Sequence, residues 1–142
     1  MRSSMMDDRY DIGQVMIQYA TSVDQRDMVR YGSCFADDVE VTGFSADPIV
    51  GRDAWVAYVT KALTNFGGTH HQITNQEVVV VGESAHLRSY VQATHELVDD
   101  DEHLLVLWAI YDDRLARTPE GWKITQHAIE RTIDAKKVRV SA

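Results

Sequence analysis

The chain has 142 residues, 44% hydrophobic and 25% charged, with 22 acidic against 14 basic side chains and a formal net charge of −8. That balance fits one ordinary globular domain and, lacking a basic stripe to neutralise phosphates, excludes nucleic acid as a partner. No run approaches the ~18 apolar residues of a membrane span, residues 1–8 carry acids where a leader needs an apolar core, and the lone Cys34 permits no intrachain disulfide, so no membrane contact and a cytoplasmic location are expected.

The first third has helical period. Ile12, Val15, Met16, Tyr19, Ala20 and Val23 recur at three- and four-residue spacing and predict one apolar stripe, with Asp24 at its edge near the helix's C-terminal end. Asp27 predicts an N-cap for a second short helix over 28–35, which Ala36-Asp37-Asp38 breaks before a strand over 39–44. Gly51 opens a third helix with Trp55, Val59, Ala62 and Leu63 on its buried side. Cys34, among apolar neighbours, reads as packing and not as a nucleophile.

From Thr69 the period becomes two. Strands are predicted over 70–81, 85–98, 103–116 and 122–133, joined by turns at Gly82-Glu83, Asp99-Asp100-Asp101-Glu102 and Thr118-Pro119-Glu120-Gly121. The acidic run reads as a solvated turn, since adjacent carboxylates without a glycine-bent loop do not converge on a cation. Helices followed by an antiparallel meander give an α+β class, the helices lying in the concave face of a bent sheet. The whole chain reads as one domain, with 1–8 and 134–142 as loose termini.

The chain contains no G-x-G-x-x-G, no Walker loop, no G-x-S-x-G elbow and no H-E-x-x-H, so dinucleotide, nucleotide and zinc-hydrolase chemistry lack support. Of six histidines, His70 and His71 are adjacent on a strand, point to opposite faces and cannot share a metal. His71, Ile73 and Asn75 form the inward face by phase, whereas His70, Gln72, Thr74 and Gln76 are wholly polar. Asn75 on that face suggests a pocket lined by a few polar groups. On the last strand, His127 shares a face with Lys123, Thr125, Ile129 and Arg131 and could donate to an oxyanion. Tyr19 could polarise a carbonyl, though core packing is its default, and Trp108 and Trp55 read as core or pocket walls.

Tyr19-Ala20-x-x-x-Asp24, Phe35-Ala36-Asp37-Asp38-Val39, Gly51-Arg52-Asp53-Ala54, His71-x-x-x-Asn75, Val81-Gly82-x-x-Ala85 and Gly121-Trp122-Lys123-Ile124 occur in that order along nearly the whole chain. Together they resemble the SnoaL-like branch of the nuclear transport factor two-like superfamily. The resemblance implies a cone-shaped α+β barrel with an enclosed pocket. It also implies an acid/base dyad at Asp24 and His71, as in members similar to scytalone dehydratase, lindane dehydrochlorinase and bile-acid dehydratase. Some relatives place an arginine where His127 stands.

The implied activity is a cofactor-independent elimination or isomerisation of a small, mostly apolar, ring-containing substrate. Tyr19, Asn75, Trp108 and His127 are the expected substrate contacts, and no metal is expected. The alternatives are a non-catalytic small-molecule-binding or assembly domain, or a polyketide-cyclase or hydrolase type of enzyme; fold does not choose among them. A homodimer or homotrimer is expected, because so small a bent sheet leaves an apolar outer face.

Overall fold

The computed structural model describes residues 4–140. Helix α1 (Met5–Gln25) starts at Ser4, whose hydroxyl accepts from the Asp7 backbone N–H while the Asp7 carboxylate accepts from the Ser4 N–H, a reciprocal capping box. The stripe is buried as its period predicts: Ile12, Met16, Tyr19, Ala20 and Val23 all lie in the core. Asp27 caps α2 (Met28–Gly32) through the Arg30 N–H. That helix stops three residues earlier than expected, and Phe35 begins strand β1 (Phe35–Thr42), which runs through the Ala36-Asp37-Asp38 segment read as a break. The exposed acids sit on the solvent side of β1, where a strand tolerates them.

A two-residue strand, β2 (Ile49–Val50), precedes α3 (Arg52–Leu63), and then come β3 (Phe66–Val81), β4 (Ser84–Leu97), β5 (Asp100–Thr118) and β6 (Gly121–Arg139). The sheet order is β2-β1-β6-β5-β4-β3. Strands β3 to β6 form the antiparallel meander, and β1 joins β6 in parallel, so the curved, unclosed sheet is mixed. The helices lie against it as expected.

Two boundaries differ in an instructive way. The acidic run contributes only Asp99 to the turn, because Asp100 starts β5 and its carboxylate accepts from the Glu102 N–H and pairs with His103. Parts of the two end segments fall within regular elements: α1 begins at Met5, the Asp8 carboxylate is buried against Arg117, and β6 continues to Arg139. Residues 1–3 and 141–142 lie outside the described residues.

One close approach fixes the β1 end. Gly43 has φ +89°, and a Cβ there would stand 2.5 Å from the Ile129 carbonyl oxygen. Gly43→Ala should therefore lower stability by more than the ~1–2 kcal/mol of left-handed backbone strain alone, read by denaturant unfolding; a loss below about 1 kcal/mol would contradict the contact.

Candidate functional site

Asp24 lies in the last turn of α1, which ends where Arg26 takes the left-handed conformation at φ 61°. Arg26 then turns back over β3, its Nη1 donating to the Thr69 hydroxyl at 2.7 Å and its Nη2 to the Gly67 carbonyl at 2.6 Å. Thr69 donates in turn to Asp24 Oδ1 at 2.9 Å. His71 is gripped twice, its backbone N–H donating to Oδ2 at 2.8 Å and its ring Nδ1 bonded to Oδ1 at 2.7 Å. The two side chains are 21% and 11% exposed.

With Asp24 ionised, Nδ1 carries the proton and Nε2 is left as the basic nitrogen. Burial pushes the Asp24 carboxyl up, but the hydrogen bonds and charge of His71 and the Thr69 hydroxyl together hold it below the ordinary carboxylate value. A depressed pKa adds stability that is present above the unfolded value of about 3.9 and lost as pH falls through the folded value. The stability gap between wild type and Asp24→Asn should accordingly narrow on acidification in denaturant unfolding. A gap independent of pH would contradict the ionised pairing.

A second imidazole completes this end of the interior. His95 is buried, 5.9 Å from His71 in a T-shaped contact and 4.5 Å from Phe66, with Nδ1 bonded to the Leu105 carbonyl at 3.1 Å. Burial first, and then the neighbouring His71 and Arg26, hold its pKa below the ordinary histidine value against the Leu105 bond and the Asp24 charge. The signal for His95 was its phase, since Val91, Ala93 and His95 alternate inward on β4.

Tyr19 and His127 meet in a second cluster. Tyr19 Oη lies 2.9 Å from His127 Nε2, and His127 Nδ1 makes a short hydrogen bond with Asp113 Oδ1. The imidazole is boxed by Tyr111 at 4.8 Å, Tyr19 at 5.1 Å, Phe44 at 5.3 Å, Trp55 at 5.9 Å and Phe35 at 6.3 Å. Asp113 escaped the sequence reading, although Ala109, Tyr111, Asp113 and Leu115 share one buried face of β5.

Asn75 and Trp108 do not join these residues. The β3–β4 register shifts between Thr74 and Glu77, where Asn75 adopts φ 49° and is exposed. This bulge reverses the phase: Ile73 faces in before it and Val78 after it, while Gln76 turns from the polar face to bond the Gly13 carbonyl of α1 at 3.3 Å. Trp108 lies on the convex face, lining a groove with Gln72, Thr74, Tyr90, Gln92 and Ile133. A register shift between Arg114 and Leu115 does the same for β6, so Trp122 and Ile124 face in and then His127 and Ile129. Lys123 and Thr125 therefore do not share a face with His127; Lys123 reaches the Ser33 carbonyl instead.

Cys34 is buried and its thiol pushed up to about 12, chiefly by burial, as a packing role requires. Among the described residues no three acidic, histidine or cysteine side chains converge as a metal site, and no helix is long and apolar enough to cross a membrane.

The SnoaL-like domain family matches residues 4–127. An uncharacterized protein of Mycobacterium tuberculosis is 29% identical over 118 residues, covering 82% of this chain and 80% of its own. Among solved structures, a "putative aromatic ring hydroxylase" of Novosphingobium aromaticivorans superposes with a TM-score of 0.86 at 25% identity, covering 96% of each chain. A "putative scytalone dehydratase" of the same organism gives 0.85 at 24%, covering 96% of this chain and 91% of its own. A hexachlorocyclohexane dehydrochlorinase gives 0.84 at 19%, covering 94% and 90%.

Proposed function

Because the chain belongs to the SnoaL-like domain family, we propose that it is a cofactor-independent lyase or isomerase. Its substrate is a small, mostly apolar, ring-containing molecule with an acidified C–H, and Asp24 and His71 are its acid/base pair. The observation that carries this reading is the double grip of one carboxylate on the backbone and ring of one histidine, at 2.8 and 2.7 Å. Asp24 fixes the tautomer, His71 Nε2 takes the C–H proton, and the carboxylate stabilises the imidazolium that results. The electrons left behind expel a hydroxide or chloride on the adjacent carbon, or relocate a double bond. Two similar folds bear the names of a dehydratase and a dehydrochlorinase, both eliminations.

The experiment is a panel of cyclic ketones, β-hydroxy ketones and chlorinated rings, scored by thermal shift and by product formation in NMR spectra. A ligand at 100 times its dissociation constant adds ~2.7 kcal/mol, well within detection. Turnover of a panel member supports the reading; stabilisation without turnover favours the second one. That second reading is a non-catalytic binding domain, and the observation in its favour is the filled interior: Tyr19, Tyr31, Phe35, Trp55 and Tyr111 are all buried against one another.

The protein is expected to act as a homodimer or homotrimer through its convex face, where Tyr90 and Ile133 are about half exposed beside Trp108. Sedimentation at tens of micromolar, about the range in which a modest interface still holds, should show one defined oligomer; a clean monomer would contradict this.

A further inference from the structure

The residue that ends α1 stands in a conformation that does not suit it. Arg26 has φ 61° and ψ 27°, a left-handed conformation that glycine adopts freely and arginine only under strain. What a long side chain contributes there is visible in its bonds. Nη1 donates to the Val23 carbonyl at 2.9 Å and to the Thr69 hydroxyl at 2.7 Å, and Nη2 donates to the Gly67 carbonyl at 2.6 Å. These acceptors are all neutral oxygens, so the guanidinium serves here as a planar fork of donors.

The start of β3 calls for those donors. Its register with β4 shifts between Phe66 and Thr69, and Gly67 and Gly68 fall within that shift. Their backbone groups turn to side chains instead of a strand: the Gly67 carbonyl accepts from Arg26, and the Gly68 N–H donates to Glu96 Oε1 at 2.8 Å. The ladder resumes where Thr69 pairs with His95, and from there Thr69 and His71 alternate onto the face that meets Asp24. Arg26 therefore holds both the irregular segment and the first residue beyond it.

The proton directions follow from the donors. A guanidinium has no lone pair to offer, so Thr69 must accept from Arg26, and its one hydroxyl proton goes to Asp24 Oδ1 at 2.9 Å. We infer that Arg26, acting through Thr69, is a positioning residue for the Asp24–His71 pair: it commits the Thr69 proton to Oδ1 and ties down the β3 segment that carries His71. For the reaction this rests on the dyad reading above. Oδ1 accepts from Thr69 and from His71 Nδ1 while Oδ2 accepts from the His71 backbone N–H, so the carboxylate has one orientation in which every donor is met. Burial raises the Asp24 carboxyl, and after the bonds and charge of His71 the Thr69 hydroxyl is the next group that holds it below its ordinary value. The same carboxylate is faced by His71 from β3, His95 from β4 and Tyr111 from β5, with Arg26 behind it at the end of α1. Removing the Thr69 hydroxyl leaves all of these in place and takes away one donor.

The test has two arms on the full chain, each with Thr69→Val, Thr69→Ser and Arg26→Gly, and with melting temperatures in parallel. Valine keeps the shape of threonine without the hydroxyl, serine restores the hydroxyl, and glycine suits the left-handed backbone at position 26 while removing the fork. Should Arg26→Gly not fold, Arg26→Lys, which keeps the charge but not the fork, takes its place. In the first arm the Asp24 carboxyl carbon, assigned by its loss in Asp24→Asn, is titrated by NMR. Its midpoint should rise in Thr69→Val and in the Arg26 variant and return toward the wild-type value in Thr69→Ser; an unmoved midpoint in either of the first two overturns the inference. In the second arm, exchange of the acidic C–H of β-tetralone in D2O is followed against pH. Thr69→Val and the Arg26 variant should lower the maximal rate by roughly 10–10² with KM unchanged, the usual cost of losing a group that orients a reacting one, and should move the acid limb of the profile to higher pH. Serine should restore both. Wild-type rates and profiles in these variants, with His71→Gln inactive, overturn the positioning role while leaving the dyad standing. If the wild type itself shows no exchange, the function reading fails, and the carboxyl titration alone decides whether Arg26 and Thr69 act on Asp24.

Discussion

His71→Gln should reduce turnover by ~10²–10⁴, because glutamine keeps a hydrogen-bonding side chain of similar reach but removes the only basic nitrogen that Asp24 holds. Asp24→Asn should cost a comparable factor: an amide can stabilise the wrong tautomer and cannot balance an imidazolium. The double variant should lose little beyond either single one, since a gripped base and its carboxylate act as one unit. Steady-state kinetics on the panel member that turns over, with melting temperatures measured in parallel, decides the matter. Multiplicative losses in the double variant would mean that the two residues act separately, and the two-point grip would then have no part in the rate.

Asp113→Ala should be the most damaging of the site changes for the fold. Removing one partner of a fully buried, hydrogen-bonded pair strands the other, at a cost of roughly 3–5 kcal/mol in denaturant unfolding. Asp113→Asn keeps a hydrogen-bonding group of the same shape and should cost distinctly less. Equal losses in the two variants would show that packing volume, and not the pairing with His127, holds this part of the interior.

Local periodicity made the helices, the meander and the inward placement of His71 legible, while the pairing of His71 with Asp24 came only from the family resemblance; periodicity failed where the backbone changed phase. The α1 stripe ends at Val23 and delivers Asp24 to the helix terminus, and counting by two along β3 from Thr69 delivers His71 beside it. The same count fails after Thr74, because the bulge at Asn75 adds a residue to β3; asparagine tolerates the left-handed conformation, but nothing else in the sequence marks the site. Trp108 was misplaced for a different reason. Residues 104–110 are all apolar, so no alternation shows which face is inward, and β5 shifts register within that run.

His95 and Asp113 were open to view by phase, yet a polar residue at an inward strand position declares its purpose only through partners on other strands. For Asp113 that partner is His127, fourteen residues away on β6, and for Tyr19 it is the same ring from 108 residues away. The aromatic box around His127 likewise draws on α1, β1, α3 and β5 and on the loop carrying Phe44. Long-range convergence of this kind has no local signature.

On the proposed function, His71, held by Asp24, removes a proton from carbon. The direct measurement is deuterium uptake into β-tetralone in D2O, followed by NMR with wild type and with His71→Gln at equal concentration and matched melting temperature. Uptake at the acidic carbon is expected with the wild type, at a rate at least about a hundredfold higher than with His71→Gln; uptake by the variant at the wild-type rate would overturn the role of His71 as base.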